Sequence, residues 1–370
     1  VFFSTNIFSQ SSIERILTEI DKNNTTLIAL RKSIDAEKIG NKTAIYLENP
    51  EVELNYLWGN ATIGNRTDFR ISQSFDFPTA YRYKNNISCL KNEIAELEYQ
   101  KQHKILILRV RMLCSDLVYT NALKVELTKM LIQAQNLAKS DKSKYDAGET
   151  NLIEYNKSQL NLLNISKELE SIEVERIVLL SELTSLNGGV NIEFNDSEFV
   201  TPVIPQDFEQ WYTTAEQNNP FLTGLTKEAL ISRNNEKLNL AMGLPRFQTG
   251  YMSESVVGQK FQGVTIGLTI PLWENKNNVK YAKANSIALE SMITDNKLQL
   301  YNQLKLLHTK AVGLQKNVID YRQKLNLYNN SELLKKALDK GEISLIDYIF
   351  ENSHFYENVV KVLELENELN

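Results

Sequence analysis

Two carboxylates stand at matching places in the chain, Glu154 in GETNLIEY and Asp347 in GEISLIDY. Each falls about one and a half helical turns after a glycine, Gly148 or Gly341, that closes a long run of helical periodicity. An acid in the first turn of a helix is favoured by the helix dipole whatever else it does. Repeated around a symmetric assembly, the same acids would form a ring, and rings of Asp or Glu select and gate cations in a pore. Other chemistry is sparse. His103, His308 and His354 are scattered, with no Cys or carboxylate at ligand spacing, and read as solvated or packed imidazoles. There is no Gly-rich phosphate loop, GxSxG or CxxC. Cys89 and Cys114 fall in one predicted helix, about 37 Å apart along it, too far for a disulfide, and read as buried apolar side chains. Neither an enzyme, a cofactor nor a metal site is expected.

What places the two carboxylates is an internal repeat. YDAGETNLIEY (Tyr145 to Tyr155) aligns with LDKGEISLIDY (Leu338 to Tyr348) at an offset of 193, and Pro78 of FDFP meets Pro271 of LTIP at the same offset. NNTTLIALRK from Asn23 matches NNPFLTGLTK from Asn218, and IERI from Ile13 matches FEQW from Phe208, both at 195. The chain therefore reads as two repeats, 11–186 and 206–370, joined by a Gly- and Pro-punctuated linker, 187–205. Asn370 maps to Ile177, which implies about nine further residues of closing helix by the offset of the repeat. Residues 1–10, VFFSTNIFSQ, read either as the remnant of a signal peptide or as an ordinary apolar N-terminus.

Each repeat has one internal order. A first helix (13–48, with a break near Asn23 and Asn24) leads into a hairpin at 51–78, a long helix at 83–142, a tip turn at 145–150 and a helix at 150–186. The second repeat places its hairpin at 246–272, its long helix at 277–337, its tip at 338–344 and its last helix up to 370. Only 14 Gly and 7 Pro punctuate 370 residues, as long helices require. Leu162, Ile165, Leu169, Ile172, Leu179, Leu183 and Leu186 keep a heptad frame, with Arg176 in its one polar slot. The flanking helices together approach the length of the long one, so it can pack against two shorter helices stacked end to end. Acidic and basic residues are mixed, the net charge is −5, and no basic stripe points to nucleic acid.

No apolar run approaches the ~18 residues of a membrane-spanning helix, so any crossing must be made by strands. The hairpins alternate in period two. Phe69, Ile71 and Phe75, and in the second repeat Val264, Ile266 and Leu268, are the candidate lipid-facing residues, against polar neighbours such as Thr265 and Thr269. Aromatic residues near the strand ends, among them Tyr56, Trp58, Phe247, Tyr251 and Trp273, suit an interfacial girdle. Four strands cannot close a barrel, and open edges are forbidden in hydrocarbon. Three copies would supply twelve strands. The rival reading is a soluble coiled-coil scaffold whose hairpins pack on the helices.

NNPFL (Asn218 to Leu222), TIPLW before the second long helix and the Tyr-x-x-Gly-Glu turn at 145–149, in this duplicated order, resemble the TolC-like outer-membrane efflux proteins over essentially the whole chain. The resemblance implies a mainly α fold with a β membrane section. Its long coiled-coil helices would form a periplasmic α-barrel, and its four strands would complete a 12-stranded trimeric β-barrel in the outer membrane of a Gram-negative bacterium. It implies a homotrimer working with a periplasmic adaptor and an inner-membrane pump, exporting small molecules (drugs, toxic compounds or metal ions) or, in a variant of the same fold, secreted polypeptides. It also makes the tips, Asp146, Gly148, Glu149 and Thr150 with Lys340, Gly341, Glu342 and Ser344, the adaptor-docking surface, with Glu154 and Asp347 near the narrow end. Family members often carry an N-terminal lipidated Cys, and none stands near Ser9 to Ser12. No Met-rich or His-rich stretch favours a metal cargo.

Overall fold

The computed structural model describes residues 6–370, with side chains from Ser12 onward apart from Ala44. Five residues of the possible signal remnant thus lie outside the described residues, and the other five belong to a helix, α1 (Asn6–Asn23). After it come α2 (Thr25–Gly40), β1 (Glu51–Leu57), β2 (Arg66–Phe75), α3 (Pro78–Asp146) and α4 (Leu152–Leu186). The second half repeats the order with α5 (Phe208–Gln217), α6 (Pro220–Met242), β3 (Arg246–Val256), β4 (Gln259–Thr269), α7 (Asn278–Leu327), α8 (Ser331–Asp339) and α9 (Leu345–Leu369). Two elements differ from expectation. The first helical segment ends at Gly40 rather than 48, with a short 3₁₀ turn at Thr43–Ile45. The long helix expected at 277–337 is broken: α7 stops at Leu327, and the Asn329 carboxamide oxygen accepts the Ser331 N–H (3.2 Å) and hydroxyl (2.8 Å) to start α8. Asn competes with helical backbone bonds in this way, so the Asn329–Asn330 pair ends a helix that its apolar period would continue.

The chain divides into two compact units. The first comprises residues up to Ile28, His103–Trp211 and Gln303–Asn370; the second comprises Ala29–Gln102 and Tyr212–Asn302. The first unit is a helical bundle. Ile16 and Ile20 of α1, Leu113 and Leu117 of α3 and Leu183 of α4 bury almost completely, with Ile192 and Phe194 of the linker laid over them. Farther along α3, Leu127, Ala134 and Ile165 form another buried seam. The α4 C-terminus meets the break between α1 and α2: Asn23 Nδ2 donates to Asn187 Oδ1 (3.0 Å) and Asn24 Nδ2 to the Leu186 carbonyl (2.8 Å). Gly188, at φ 66°, passes so near that a Cβ would sit 2.5 Å from the Asn23 carbonyl oxygen. This is the junction of shorter helices that the lengths anticipated.

Arg176, the polar slot of the heptads, is explained by the linker. Its Nε donates to Asn121 Oδ1 (2.7 Å) and its Nη2 to Asn195 Oδ1 (2.9 Å) and the Phe194 carbonyl (3.3 Å). Asn121 donates in turn to the Asp196 carbonyl (3.0 Å), Gln315 to Pro202 (3.0 Å), and His308 Nε2 lies 2.6 Å from the Pro205 carbonyl. The linker has no ladder of its own, so side chains of α3, α4 and α7 satisfy its backbone.

The second unit holds the sheet and the helices beside it. The strands form one antiparallel sheet in the order β1-β2-β3-β4. Pro78 opens α3 where its missing N–H costs nothing. Just before it Asp76, nearly buried, bonds Lys84 (2.8 Å) and approaches Arg246 of β3 (3.4 Å). α2 and α3 are tied by Glu96, which takes Arg31 (2.9 Å) and Lys38 (2.7 Å). Those two hydrogen bonds, Lys38 first, pull its carboxyl below the ordinary carboxylate range.

A two-faced sheet and a matched pair of helical tips

Residues opposite one another in an antiparallel ladder share a face. Ile71 pairs with Val52 and Tyr251, Phe69 with Leu54, and Phe75 with Phe247. Tyr251 and Phe247 pair with Val264 and Leu268, with Ile266 between them. All six residues read from sequence as lipid-facing therefore lie on one face, and Val52, Leu54, Phe247 and Tyr251 extend it across four strands. The face is open: Val264 is 79% exposed and Ile266 82%. The reverse face carries Glu53, Asp68, Arg70, Gln248, Glu254, Thr265 and Thr269 by the same pairing. Arg66 bridges Asp68 (2.8 Å) and Glu254 (3.3 Å), and Arg70 lies 3.8 Å from Glu53. Glycines keep parts of this polar face low; a Cβ on Gly250 would meet the Ile71 carbonyl at 2.4 Å and Thr265 Oγ1 at 2.8 Å. Strands β1 and β4 leave unpaired outer edges, and by the alternation of the ladder they run in opposite directions.

The turn between β3 and β4 is Val257-Gly258, with φ 43° and 81°. Positive φ at both central residues suits the twist of a hairpin, but a β-branched residue is strained there.

In the first unit, α3 and α8 end in the same motif. Gly148 N–H donates to the Tyr145 carbonyl (3.0 Å) and Glu149 N–H to Lys144 (2.8 Å); Gly341 N–H donates to Leu338 (3.0 Å) and Glu342 N–H to Ala337 (2.9 Å). This is the paired-bond helix stop that needs a left-handed residue, and glycine supplies it in both. Three residues on, the next helix is capped. Asn151 Oδ1 accepts the Glu154 N–H (2.9 Å), and Ser344 Oγ accepts that of Asp347 (3.2 Å) while Asp347 Oδ2 takes the Ser344 hydroxyl (2.6 Å). The candidate ring acids are thus first of all helix-start acids. Asp347 completes a capping box, and Glu154 pairs with Lys157 (3.0 Å). Asp146, Glu149, Thr150, Lys340 and Glu342 surround the two glycines, with Lys340 Nζ 3.9 Å from Glu342. The Tyr145 and Tyr155 rings stack at 5.3 Å across the first tip, a contact no spacing rule singled out.

The histidines and cysteines depart from expectation in three places, one of them His354, which lies 3.7 Å from Glu357. His103 does have a carboxylate beside it, Asp21 Oδ1 at 2.7 Å, reached through the fold from 82 residues away. Of the cysteines only Cys114 is buried, which pushes its thiol up to about 12; Cys89 is exposed. Among the described residues no group of three or more His, Cys, Asp or Glu side chains is placed to hold a metal, and no helix is long and apolar enough to cross a membrane.

No protein-family model matches the sequence, and no curated protein is significantly similar to it. Solved structures are similar in fold. The Campylobacter jejuni CmeC outer membrane channel superposes with a TM-score of 0.77 at 15% identity, over 97% of this chain and 83% of that one. VceC, an outer membrane protein of Vibrio cholerae, gives 0.78 at 11% identity, over 97% and 93%. The open state of the Neisseria gonorrhoeae MtrE outer membrane channel gives 0.59 at 12%, over 96% and 86%. Long helices, a four-stranded sheet with one apolar face, and this likeness over nearly the whole chain give one conclusion: the protein has the TolC-like fold of these outer-membrane channels.

Proposed function

We propose that the chain is one protomer of a homotrimeric outer-membrane duct that exports small molecules. The observation that carries this reading is the sheet. Its one face is apolar and open, its other face is charged and hydrogen-bonded, and its two edges are unpaired. An aqueous lumen suits the charged face and lipid suits the apolar one. A lipid-exposed edge costs several kcal/mol for each unsatisfied backbone group, so the edge of β4 has to meet the edge of β1 on another copy. Opposed directions make that pairing antiparallel, as every other pairing in the sheet is. Three copies give twelve strands, within the range of membrane barrels.

In this reading the matched tips form the surface that meets a periplasmic adaptor, which couples the duct to an inner-membrane pump. The lumen conducts passively, and the pump decides the cargo. A soluble scaffold would have no use for an open apolar face of this size. The experiment is mass measurement in mild detergent, joined to conductance of the purified protein in planar bilayers. Three chains per particle and discrete conductance steps are expected. A monomer stable without detergent would overturn the reading.

A further inference from the structure

The two tips match, but the helical seams behind them do not. A shift of 193 positions pairs α7 with α3 and α9 with α4. In the first half the seam is apolar: Leu127 is fully buried, Ile165 nearly so, and Leu131 packs against the cluster they form with Ala134. Their equivalents in the second half are Asp320, Asn358 and Lys324. The Asp320 and Lys324 side chains are 59% and 62% exposed, so water reaches a level that is packed and apolar in the first half. The backbone differs at the same level, since α3 runs through unbroken while α7 stops and α8 restarts. Between α7, α8 and α9 the break leaves a cleft of about 500 Å³. The cavity beside Ala134 and Ile165 in the first half measures about 20 Å³.

The walls of the cleft have two kinds of chemistry. Tyr321, Tyr328 and Phe355 supply aromatic surface, and the Tyr321 hydroxyl is held by Asn358 Oδ1 at 2.7 Å. Asp320 and Lys324 neutralise each other at 2.8 Å. His354 lies 3.7 Å from Glu357. Glu351 also lines the cleft, and it enters no ion pair among the described residues. The balance of charge facing the space is therefore negative.

We propose that this cleft binds an organic cation with an aromatic or apolar body. Aromatic rings attract a cation through their faces, the Glu351 carboxylate supplies the opposite charge, and the volume is that of a pocket for one small molecule. Leu334 of α8 closes one apolar wall. The site does not depend on the duct reading, because it is built within one chain and binds without transport.

The test is calorimetric titration of the detergent-purified full-length protein with tetraphenylphosphonium, against tetraphenylborate, an anion of nearly the same shape. Saturable binding of the cation and none of the anion is expected. Glu351→Gln, an exposed position that leaves folding alone, should weaken the cation about three- to tenfold, and Leu334→Trp should abolish binding by filling the space. The proposal is overturned if both ions bind alike, if neither variant changes the affinity by twofold, or if the wild-type protein binds no cation because a second copy fills the cleft. Bilayer conductance reports on the duct independently of all three outcomes.

Discussion

Gly148 and Gly341, 193 positions apart in sequence, hold the same left-handed backbone, φ 76° and 73°, and each closes its helix with the same pair of hydrogen bonds. Around both, the position of a Cβ is open space to 4 Å. A side chain there is opposed by the backbone alone, at on the order of 1 kcal/mol. That is too little to unfold a long helical bundle. Gly148→Val with Gly341→Val should therefore still give oligomers in the outer-membrane fraction, yet lose efflux and adaptor cross-linking, because a small docking surface depends on the turn's shape. Full transport and cross-linking in the double variant would reduce the tips to ordinary turns.

The two faces of the sheet should differ in their tolerance of charge. Arginine on the lipid side of a membrane strand costs roughly 2–4 kcal/mol at mid-bilayer. Ile266→Arg and Leu268→Arg should impair assembly, read as loss of the oligomer band on unheated gels. Thr265→Arg and Thr269→Arg, on the face that already carries Arg66 and Arg70, should be milder. Equal tolerance of the two pairs would favour hairpins in water.

Asp141 of α3 is 7% exposed, and one of its carboxylate oxygens has no hydrogen-bond partner. Burial raises its pKa, opposed by the Ser158 hydroxyl and by Lys144, and reinforced by Glu154. A carboxyl whose folded pKa is raised holds more protons in the native state, so its ionisation lowers stability as pH rises above the ordinary Asp value. Asp141→Asn should therefore raise the thermal midpoint at pH 7. The gain should shrink as pH falls through the raised folded pKa, where the native carboxyl takes up its proton. A gain independent of pH would place its origin in packing.

Asp347 caps its own helix and Glu154 pairs with Lys157 in the first turn of its own, so a ring role has to be separated from these local ones. Glu154→Gln and Asp347→Asn keep side chains that can still accept hydrogen bonds. The pair should leave adaptor docking intact and lower the cation preference of the duct, measured as a shift in reversal potential across a salt gradient. An unchanged reversal potential would leave Asp347 as a cap and Glu154 as a partner of Lys157.

What was legible in the sequence was periodic. Alternation in FRISQSF and VTIGLTI placed two of the strands and their faces, since a strand's side chains change face at every residue. RFQTGYM alternates more weakly because Thr249 stands on the apolar face, opposite Ile266, and Met252 on the polar one, opposite Arg70. The repeat located both tips because the helix stop needs glycine at one position. The Asn pair at 329–330 is the same signal that marks the break at Asn23 and Asn24, but the apolar period across it predicts one continuous helix and so hides the cleft. Long-range pairs left no spacing to read: Asp21 with His103, or Arg176 with Asn121 and the linker. The Val257-Gly258 turn lacks the Asn-Gly or Asp-Gly signal that hairpins favour.

The opposed free edges of β1 and β4 have a consequence for how the protein comes to exist. In the proposed duct a folded single copy is a reactive species, since either edge can accept the complementary edge of another copy, and nothing in one chain says when to stop adding. Closure is the only event that ends the series. Collision frequency, rather than the folding of each chain, should then govern the yield of finished particles. At low expression they should appear late and completely. At high expression, addition outpaces closure, and open ribbons of sheet accumulate as the failed product.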